Sequence, residues 1–421
     1  MSQATMKKTS TNEILPFQVD MSKTRVAKFE RAEELQKILK YMYETGEAVF
    51  IKQPQKKDEL QQVKDAVATL RKNFSHILAV GTGGSSLGAQ AVTSLAKKDK
   101  LGITFLDNVD PFTTSQLLET LPLEKTAIAF VSKSGTTIET MSHMLMLVEA
   151  LQKKIKPEQF KTQCVAVTTP GASPLRKLAE ELGIPVLIHE ANLGGRFSVL
   201  SPVGMIPAAF MGLDADAFWA GSDAVVQYGL NDLNSPLFSG AEYQFRQHEE
   251  GRKSHVLMTY NDRLSVFGAW FRQLVAESLG KDGKGITPIP ASGTVDQHSV
   301  LQLFMDGPDE KHFTFILGDY DGKGVAFSEK LAKQAGFDLL VGKKMGDVMA
   351  AFQEGTVGTL AERNKPIRII RIAELNEYTL GALFMHFMLE TVLTARLLKI
   401  NPHDQPAVEG SKVLAKAYLS K

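Results

Sequence analysis

Six consecutive residues, Ser132-Lys133-Ser134-Gly135-Thr136-Thr137, set four hydroxyls, one ammonium and one glycine directly behind the apolar run Ala127 to Val131. Each hydroxyl can donate to a phosphate oxygen, Gly135 clears a side chain so that backbone N–H groups converge, and Lys133 adds a point charge. Charge-assisted bonds of this kind contribute about 1.5 to 3 kcal/mol each. Apolar positions resume at Ile138 and recur at Met141, Met144, Leu145 and Val148, a helical pattern. The loop would then lie at a strand end and a helix N-terminus, where the dipole favours the same anion. The alternative is an ordinary strand-to-helix turn capped by Thr136 or Thr137.

A second segment, Gly81-Thr82-Gly83-Gly84-Ser85-Ser86-Leu87-Gly88, follows another apolar run and opens a helix. It lacks the glycine spacing and acidic partner of a dinucleotide fingerprint, so it reads as close backbone approach to a ligand, or as a tight packing turn. Gly280-Lys281-Asp282-Gly283-Lys284-Gly285 lacks the Gly-Lys-Ser/Thr ending of a P-loop, which leaves ATP chemistry little support. His248-Glu249-Glu250 lacks the second histidine of a zinc-binding helix, and one cysteine cannot build a thiolate cluster. The reading therefore calls for no metal and no cofactor.

Glu277 is placed for proton transfer. The pattern from Ser265 to Leu279 is helical and stops at Gly280, which puts Glu277 in the last turn. There the helix dipole disfavours a charged carboxylate by roughly 0.3 to 1 kcal/mol. A base that takes and returns a proton near neutrality gains from such a place, although glutamates near helix ends are commonly just solvated. Gln273 lies one turn earlier on the same face. His298, ahead of the apolar pattern Val300, Leu301, Leu303 and Phe304, sits at a helix start, which keeps an imidazole neutral, or is simply a surface histidine. Arg196, behind Gly194-Gly195, can present a guanidinium to developing negative charge or serve in an ion pair.

The elements that must carry these residues follow from the alternation of short apolar runs with longer amphipathic ones, the mark of parallel sheets covered by helices. After a helix from about Thr24 to Glu44, strands are expected at His76 to Val80, Ile103 to Leu106, Ala127 to Val131, Cys164 to Val167 and Val186 to Ile188. A helix-rich stretch from about Val203 to His248 precedes a second series at Val256 to Thr259, Phe313 to Leu317 and Ile367 to Ile372. The expected organisation is an N-terminal helical segment (1–45), a first α/β domain with the hydroxyl-rich loop (46–200), a second with Glu277 and His298 (201–390) and a C-terminal helical tail (391–421). The boundary is expected between Gly194 and Pro202.

A chain of 421 residues, 43% hydrophobic and 23% charged, has ample material for a large core. Lys+Arg 48 against Asp+Glu 47 leaves a net charge of +1, so no global field draws it to nucleic acid or a membrane surface. Cys164 has no partner for a disulfide within the chain and the first twenty residues are polar, which reads as cytoplasmic. Leu380 to Leu398 is apolar enough to suggest a membrane span, but His386, Glu390 and Arg396 interrupt it, which favours a helix buried in protein, with His386 a satisfied core histidine.

The ordered set of segments resembles the phosphoglucose isomerase family over most of the chain. The blocks that carry the likeness are Gly81 to Gly88, Ser132 to Thr137, Leu193-Gly194-Gly195-Arg196-Phe197-Ser198 continuing to Gly204, and Glu277-Ser278 with Gly280-Lys281. His298 and the tail Asp404-Gln405-Pro406-Ala407-Val408-Glu409-Gly410-Ser411-Lys412 complete it. The resemblance implies two sugar-isomerase-type (SIS-type) three-layer αβα sandwich domains with parallel-type sheets. It also implies reversible isomerisation of glucose 6-phosphate to fructose 6-phosphate through a cis-enediolate after ring opening, in glycolysis and gluconeogenesis, by a homodimer.

Carried over residue by residue, the resemblance assigns Ser132, Lys133, Ser134 and Thr137 to the phosphate and Gly84 and Ser85 to the sugar. Glu277 matches the base that moves the proton between C2 and C1, and His298 the ring-opening residue that arrives from the neighbouring subunit. Arg196 matches the group that steadies the enediolate, while Gln273, Gln405 and Lys412 match substrate-site positions, Lys412 also being linked to ring opening. Two departures are a chain shorter than the family's long form, implying reduced peripheral and dimer-embracing elements, and Ala407 where many members carry glycine.

Two rivals stay open at this level. One widens the substrate to mannose 6-phosphate. The other is a sugar-phosphate sensor on the same fold, which would need the Ser132 to Thr137 loop but not Glu277, His298, Arg196 and Lys412 together.

Overall fold

The computed structural model describes residues 15–97 and 100–421. The expected helical segment 1–45 and the polar first twenty residues extend into residues 1–14, outside the described residues. Among the described residues, ten strands form two five-stranded sheets. In the first, β2 (His76–Val80), β3 (Gly102–Leu106), β4 (Thr126–Val131), β5 (Cys164–Thr168) and β6 (Val186–Ile188) run in the order β3-β2-β4-β5-β6, all parallel. The second joins β1 (Phe17–Asp20), β7 (Ser254–Thr259), β8 (Thr287–Ser292), β9 (Lys311–Gly318) and β10 (Ile367–Ile372) in the order β1-β10-β9-β7-β8, with β1 alone antiparallel.

Every residue of β4 is buried, as a parallel strand covered on both faces requires. The strand period of two splits its side chains between two cores. Ile128 and Phe130, with Leu78 and Val80 of β2, meet Met144, Leu147 and Leu151 of the helix Ile138–Gln152 on the outer face. Ala127, Ala129 and Val131 turn inward to a large core shared with Leu257, Ile316 and Ile370 of the second sheet. Between the sheets lie the helices Ala215–Asn231, Ser265–Leu279 and Glu377–Leu397. Helix Glu377–Leu397 is buried from Thr379 to Ala395; among the described residues it is the one helix long and apolar enough to cross a membrane, and here it is the central core helix.

The structure departs from the expected elements at three places. Strand β8 contains Pro288 and Pro290, which lack an N–H, and such a sequence forms a strand only because β8 is an edge that pairs on one side. Strand β1 is four residues long and acquires its extended form by pairing Phe17 with Ile372. The N-terminal helix begins at Ala32 rather than near Thr24, because the Glu242 carboxylate accepts from the Glu30 and Arg31 N–H groups at 2.8 and 2.9 Å and sets where it starts. His386 is buried, but it is not the satisfied core histidine expected: neither ring nitrogen has a hydrogen-bond partner, and Nε2 meets Glu390 Oε2 only as a close contact at 3.2 Å.

Candidate active site

The hydroxyl-rich loop leaves the carboxyl end of β4. Ser132 is buried, its Oγ 2.9 Å from Thr137 Oγ1, and Gly135 N–H donates to the same Oγ at 3.1 Å. Gly135 holds φ +63°, and a Cβ there would fall 2.7 Å from Ser173 Cβ, so the tight path demands glycine twice over. Thr137 stands at the N-cap position of helix Ile138–Gln152 but makes no capping bond; its hydroxyl turns back to Ser132. The capping alternative therefore fails for Thr137, and the first-turn amides keep their positive end toward the loop. Ser134 and Thr136 are exposed, their hydroxyls 3.0 Å apart. Lys133 is half-buried, and burial pushes its ammonium pKa down, with the Arg196 charge acting in the same direction.

The glycine turn after β2 is wedged against this loop. A Cβ on Gly81 would lie 2.9 Å from the Val131 carbonyl oxygen, and one on Gly84 would lie 2.6 Å from Gly195 Cα. Gly83, at φ +56°, borders the Gln273 side-chain nitrogen. The packing role thus holds for Gly84, which meets Gly195 beside Arg196, while Gly83 next to it faces Gln273 and Ser85 is half-buried. Ser86 is occupied elsewhere, donating to Asp107 Oδ2 at 3.2 Å.

Helix Ser265–Leu279 delivers Glu277 in its last turn before Gly280. The Glu277 side chain is 34% exposed, with one oxygen taking a bond from Gln273 Nε2 (3.0 Å) and the other from Arg196 Nη1 (3.0 Å). Gln273 Oε1 is buried and has no partner. Arg196 lies at the start of the short 3₁₀ turn Gly195–Leu200 and is 1% exposed. Its Nε donates to Ser278 Oγ (2.9 Å), Nη1 also to Gln405 Oε1 (2.9 Å), and Nη2 to the carbonyls of Pro402 (2.5 Å) and Asp404 (3.2 Å). Trp270 Nε1 donates to the Arg196 carbonyl at 3.1 Å, locking its backbone. Burial pushes the guanidinium pKa down, and the Glu277 carboxylate offsets part of that. A half-open carboxylate beside a fixed, nearly dry cation can move a proton next to a carbonyl and hold the charge that develops.

Of the residues expected in one site, Ser132, Lys133, Ser134, Thr137, Gly84, Ser85, Gln273, Glu277, Arg196 and Gln405 come from segments that meet here. His298 and Lys412 do not join them within the single chain. His298 is exposed after the turn Val295–Gln297, and Lys412 is exposed on the helix Glu409–Leu419 with Nζ 2.7 Å from Glu409 Oε1. Trp270, Ser278 and Lys281 support the site without having been given a role by the sequence; Ser278 and Lys281 stood in the Glu277-Ser278 and Gly280-Lys281 block, and Trp270 carried no signal beyond its place on the helix.

The family model for phosphoglucose isomerase matches residues 29–421. A glucose-6-phosphate isomerase of Rubrobacter xylanophilus is 33% identical over 384 residues, covering 88% of this chain and 89% of the relative. One of Thermus thermophilus is 34% identical over 348 residues, covering 81% and 83%. Among solved structures, a hypothetical protein of Thermus thermophilus superposes with a TM-score of 0.89 at 30% identity, over 96% of this chain and 100% of that one. A glucose-6-phosphate isomerase of Chlamydia trachomatis has the same sugar-isomerase-type fold, with a TM-score of 0.74 at 24% identity over 86% of this chain and 73% of that one. Matched by the family model over nearly its whole length and by relatives at this identity, the chain belongs to the phosphoglucose isomerase family.

Proposed function

We propose that this aldose–ketose isomerase interconverts glucose 6-phosphate and fructose 6-phosphate in glycolysis with Glu277 as the proton-carrying base and Arg196 as the fixed cation. The observation that carries the assignment is the Glu277 carboxylate, one third exposed, gripped by Gln273 on one oxygen and Arg196 on the other. In this reading the substrate phosphate binds Ser132, Lys133, Ser134 and Thr137, whose loop adjoins the glycine turn of Gly84 and Ser85. Binding energy from that nonreacting end holds C1 and C2 against Glu277. Gln273 Oε1, buried without a donor, supplies an acceptor for a sugar hydroxyl.

One carboxylate suffices, because a cis-enediolate presents both carbons to the same face and Glu277 serves as base and then as acid. Arg196 Nη1, shared between Glu277 and the exposed Gln405, is the edge that turns to the enediolate oxygen. His298 and Lys412 open the sugar ring, His298 from the second subunit of a homodimer. The exposed apolar side chains Val413, Leu414, Tyr418 and Leu419 of the C-terminal helix give that partner something to bury. We assign the dimer to the cytoplasm, where a phosphorylated hexose is found and a single cysteine stays reduced.

The test uses two variants. Glu277→Gln should lower turnover by about three orders of magnitude or more while inorganic phosphate still competes for binding. His298→Asn should be slow on the ring-closed sugar. Dissociating and reassociating the two together should regain about one quarter of wild-type activity, since half the dimers carry one intact site. Near-normal turnover in Glu277→Gln sinks the base assignment, and mixing without recovery sinks the shared site.

A further inference from the structure

The Gly280-Lys281 motif is not absorbed by the chemistry above, yet the structure ties it to the same site. Lys281 follows the helix that carries Glu277, and its side chain is only 11% exposed. Its ammonium reaches the Ser278 carbonyl at 3.4 Å, closing on the negative end of that helix, and lies 3.1 Å from Asp404 Oδ1. It also donates to the Asn401 carbonyl. Three residues on, Lys284 Nζ donates to the Leu398 carbonyl at 2.9 Å. The turn between them is built from backbone at positive φ, Asp282 at 54° and Gly283 at 70°, which aims both lysines at the chain leaving the central helix.

Arg196 holds the other side of the same strap through the Pro402 and Asp404 carbonyls and the Gln405 side chain. Pro402 is buried, but from Asp404 to Lys421 every residue is exposed. Within the chain, therefore, the course of Gln405 and of the helix bearing Lys412 is set at residues 401–405, between one cation that touches Glu277 and one that does not.

We propose that Lys281 is a positioning residue of the isomerase: by pinning Asn401 and Asp404 to the end of the Glu277 helix, it places Gln405 and the Lys412 segment over the reacting carbons. This rests on the roles assigned above to Gln405 and Lys412. The phosphate loop lies outside the clamp, so loss of Lys281 acts on turnover and spares phosphate anchoring. Ångström-scale misplacement of a catalytic group reduces turnover by about a hundredfold.

The experiment uses the full chain with Lys281→Met and Asp404→Asn, read by steady-state kinetics and amide hydrogen exchange. Lys281→Met is expected to lower kcat by about 10- to 100-fold with KM within about threefold, and to speed exchange over residues 402–420 while 265–279 keep their protection. Asp404→Asn, which keeps an acceptor oxygen but loses the charge, moves both readouts less and in the same direction. Wild-type kcat in Lys281→Met, KM rising in step with the loss, or protection lost in 265–279 as well overturns the proposal. Should Lys281→Met fail to fold, wild-type values in Asp404→Asn overturn it equally. A wild-type chain inactive on hexose phosphates would refute the isomerase assignment, and the exchange readout would then decide the clamp on its own.

Discussion

Arg196 has five N–H groups and the structure gives them five acceptors, on Ser278, Glu277, Gln405, Pro402 and Asp404. A lysine offers three donors on a point charge and cannot reproduce that planar fork. Arg196→Lys is therefore expected to leave at least two acceptors short, each buried one costing about 1 to 3 kcal/mol. Turnover should fall by about 10²- to 10³-fold, the size of effect seen when one fixed donor to a developing oxyanion is removed, with KM for the hexose phosphate much less changed. Urea denaturation and steady-state kinetics on the same preparation check both parts, and wild-type turnover in this variant would contradict the cation's role.

At the scale of elements, the site depends on how closely two backbone turns approach. Gly84 and Gly195 meet with no side chain between them, and a Cβ on Gly84 would fall 2.6 Å from Gly195 Cα. No flexible group stands there to yield, so Gly84→Ala must move the turn after β2 or the Arg196 segment. We expect it to cost about 1 to 3 kcal/mol, with activity falling alongside Tm. Gly355 is the useful contrast. It lies inside the helix Met345–Glu362 with nothing within 4 Å of where a methyl would stand, so Gly355→Ala should stabilise by roughly 0.5 to 1 kcal/mol and leave turnover alone. Thermal melts of the two variants should move in opposite directions; a shared direction would mean that the backbone contact is not what makes Gly84 necessary.

At the scale of the whole molecule, a polar cluster lies buried where the second sheet meets the central helix. His255 and His312 stack with ring centroids 4.6 Å apart, His255 on Thr314 and His312 on the Gln244 side chain. Burial pushes His312 down to about 3 and the Arg368 charge adds to this, while the hydrogen bond to the Arg252 carbonyl and the Glu390 charge work against it; His255 is held well below its ordinary value by burial, His312 and Arg368. Arg368 and Glu390 pair beside them, with His386 on the same carboxylate; burial pushes Glu390 up, but Arg368 and His386 together outweigh it and hold the carboxyl low. Both stacked histidines have folded values below the ordinary 6.5, so the unfolded chain binds more protons between 6.5 and about 3. Their stabilisation is complete above about pH 6.5 and lost as pH falls, by up to about 1.4 kcal/mol per pH unit for each histidine. Glu390 adds a further loss below its ordinary value of 4.5. The urea midpoint should decline steadily from neutrality toward pH 4, less so in His312→Gln, and a level profile would contradict this account.

Everything that local periodicity can encode was legible in the chain before any contact was known. Apolar runs such as Ala127 to Val131 become strands because residues of period two must be buried on both faces, and Ser265 to Leu279 becomes a helix that ends at Gly280. The chemistry-bearing residue types were legible too, since Ser132 to Thr137, Arg196 and Glu277 stand in compact blocks beside those elements. What depends on distant partners came from the folded chain. Strand β1 exists through β10, the helix at Ala32 starts where Glu242 caps it, and Arg196 meets Gln405 across 209 positions of chain. No periodic pattern records such contacts, because each is set by the packing of two sheets around one central helix. The same packing brings Glu277 to Arg196 and leaves His298 and Lys412 on the surface of the single chain.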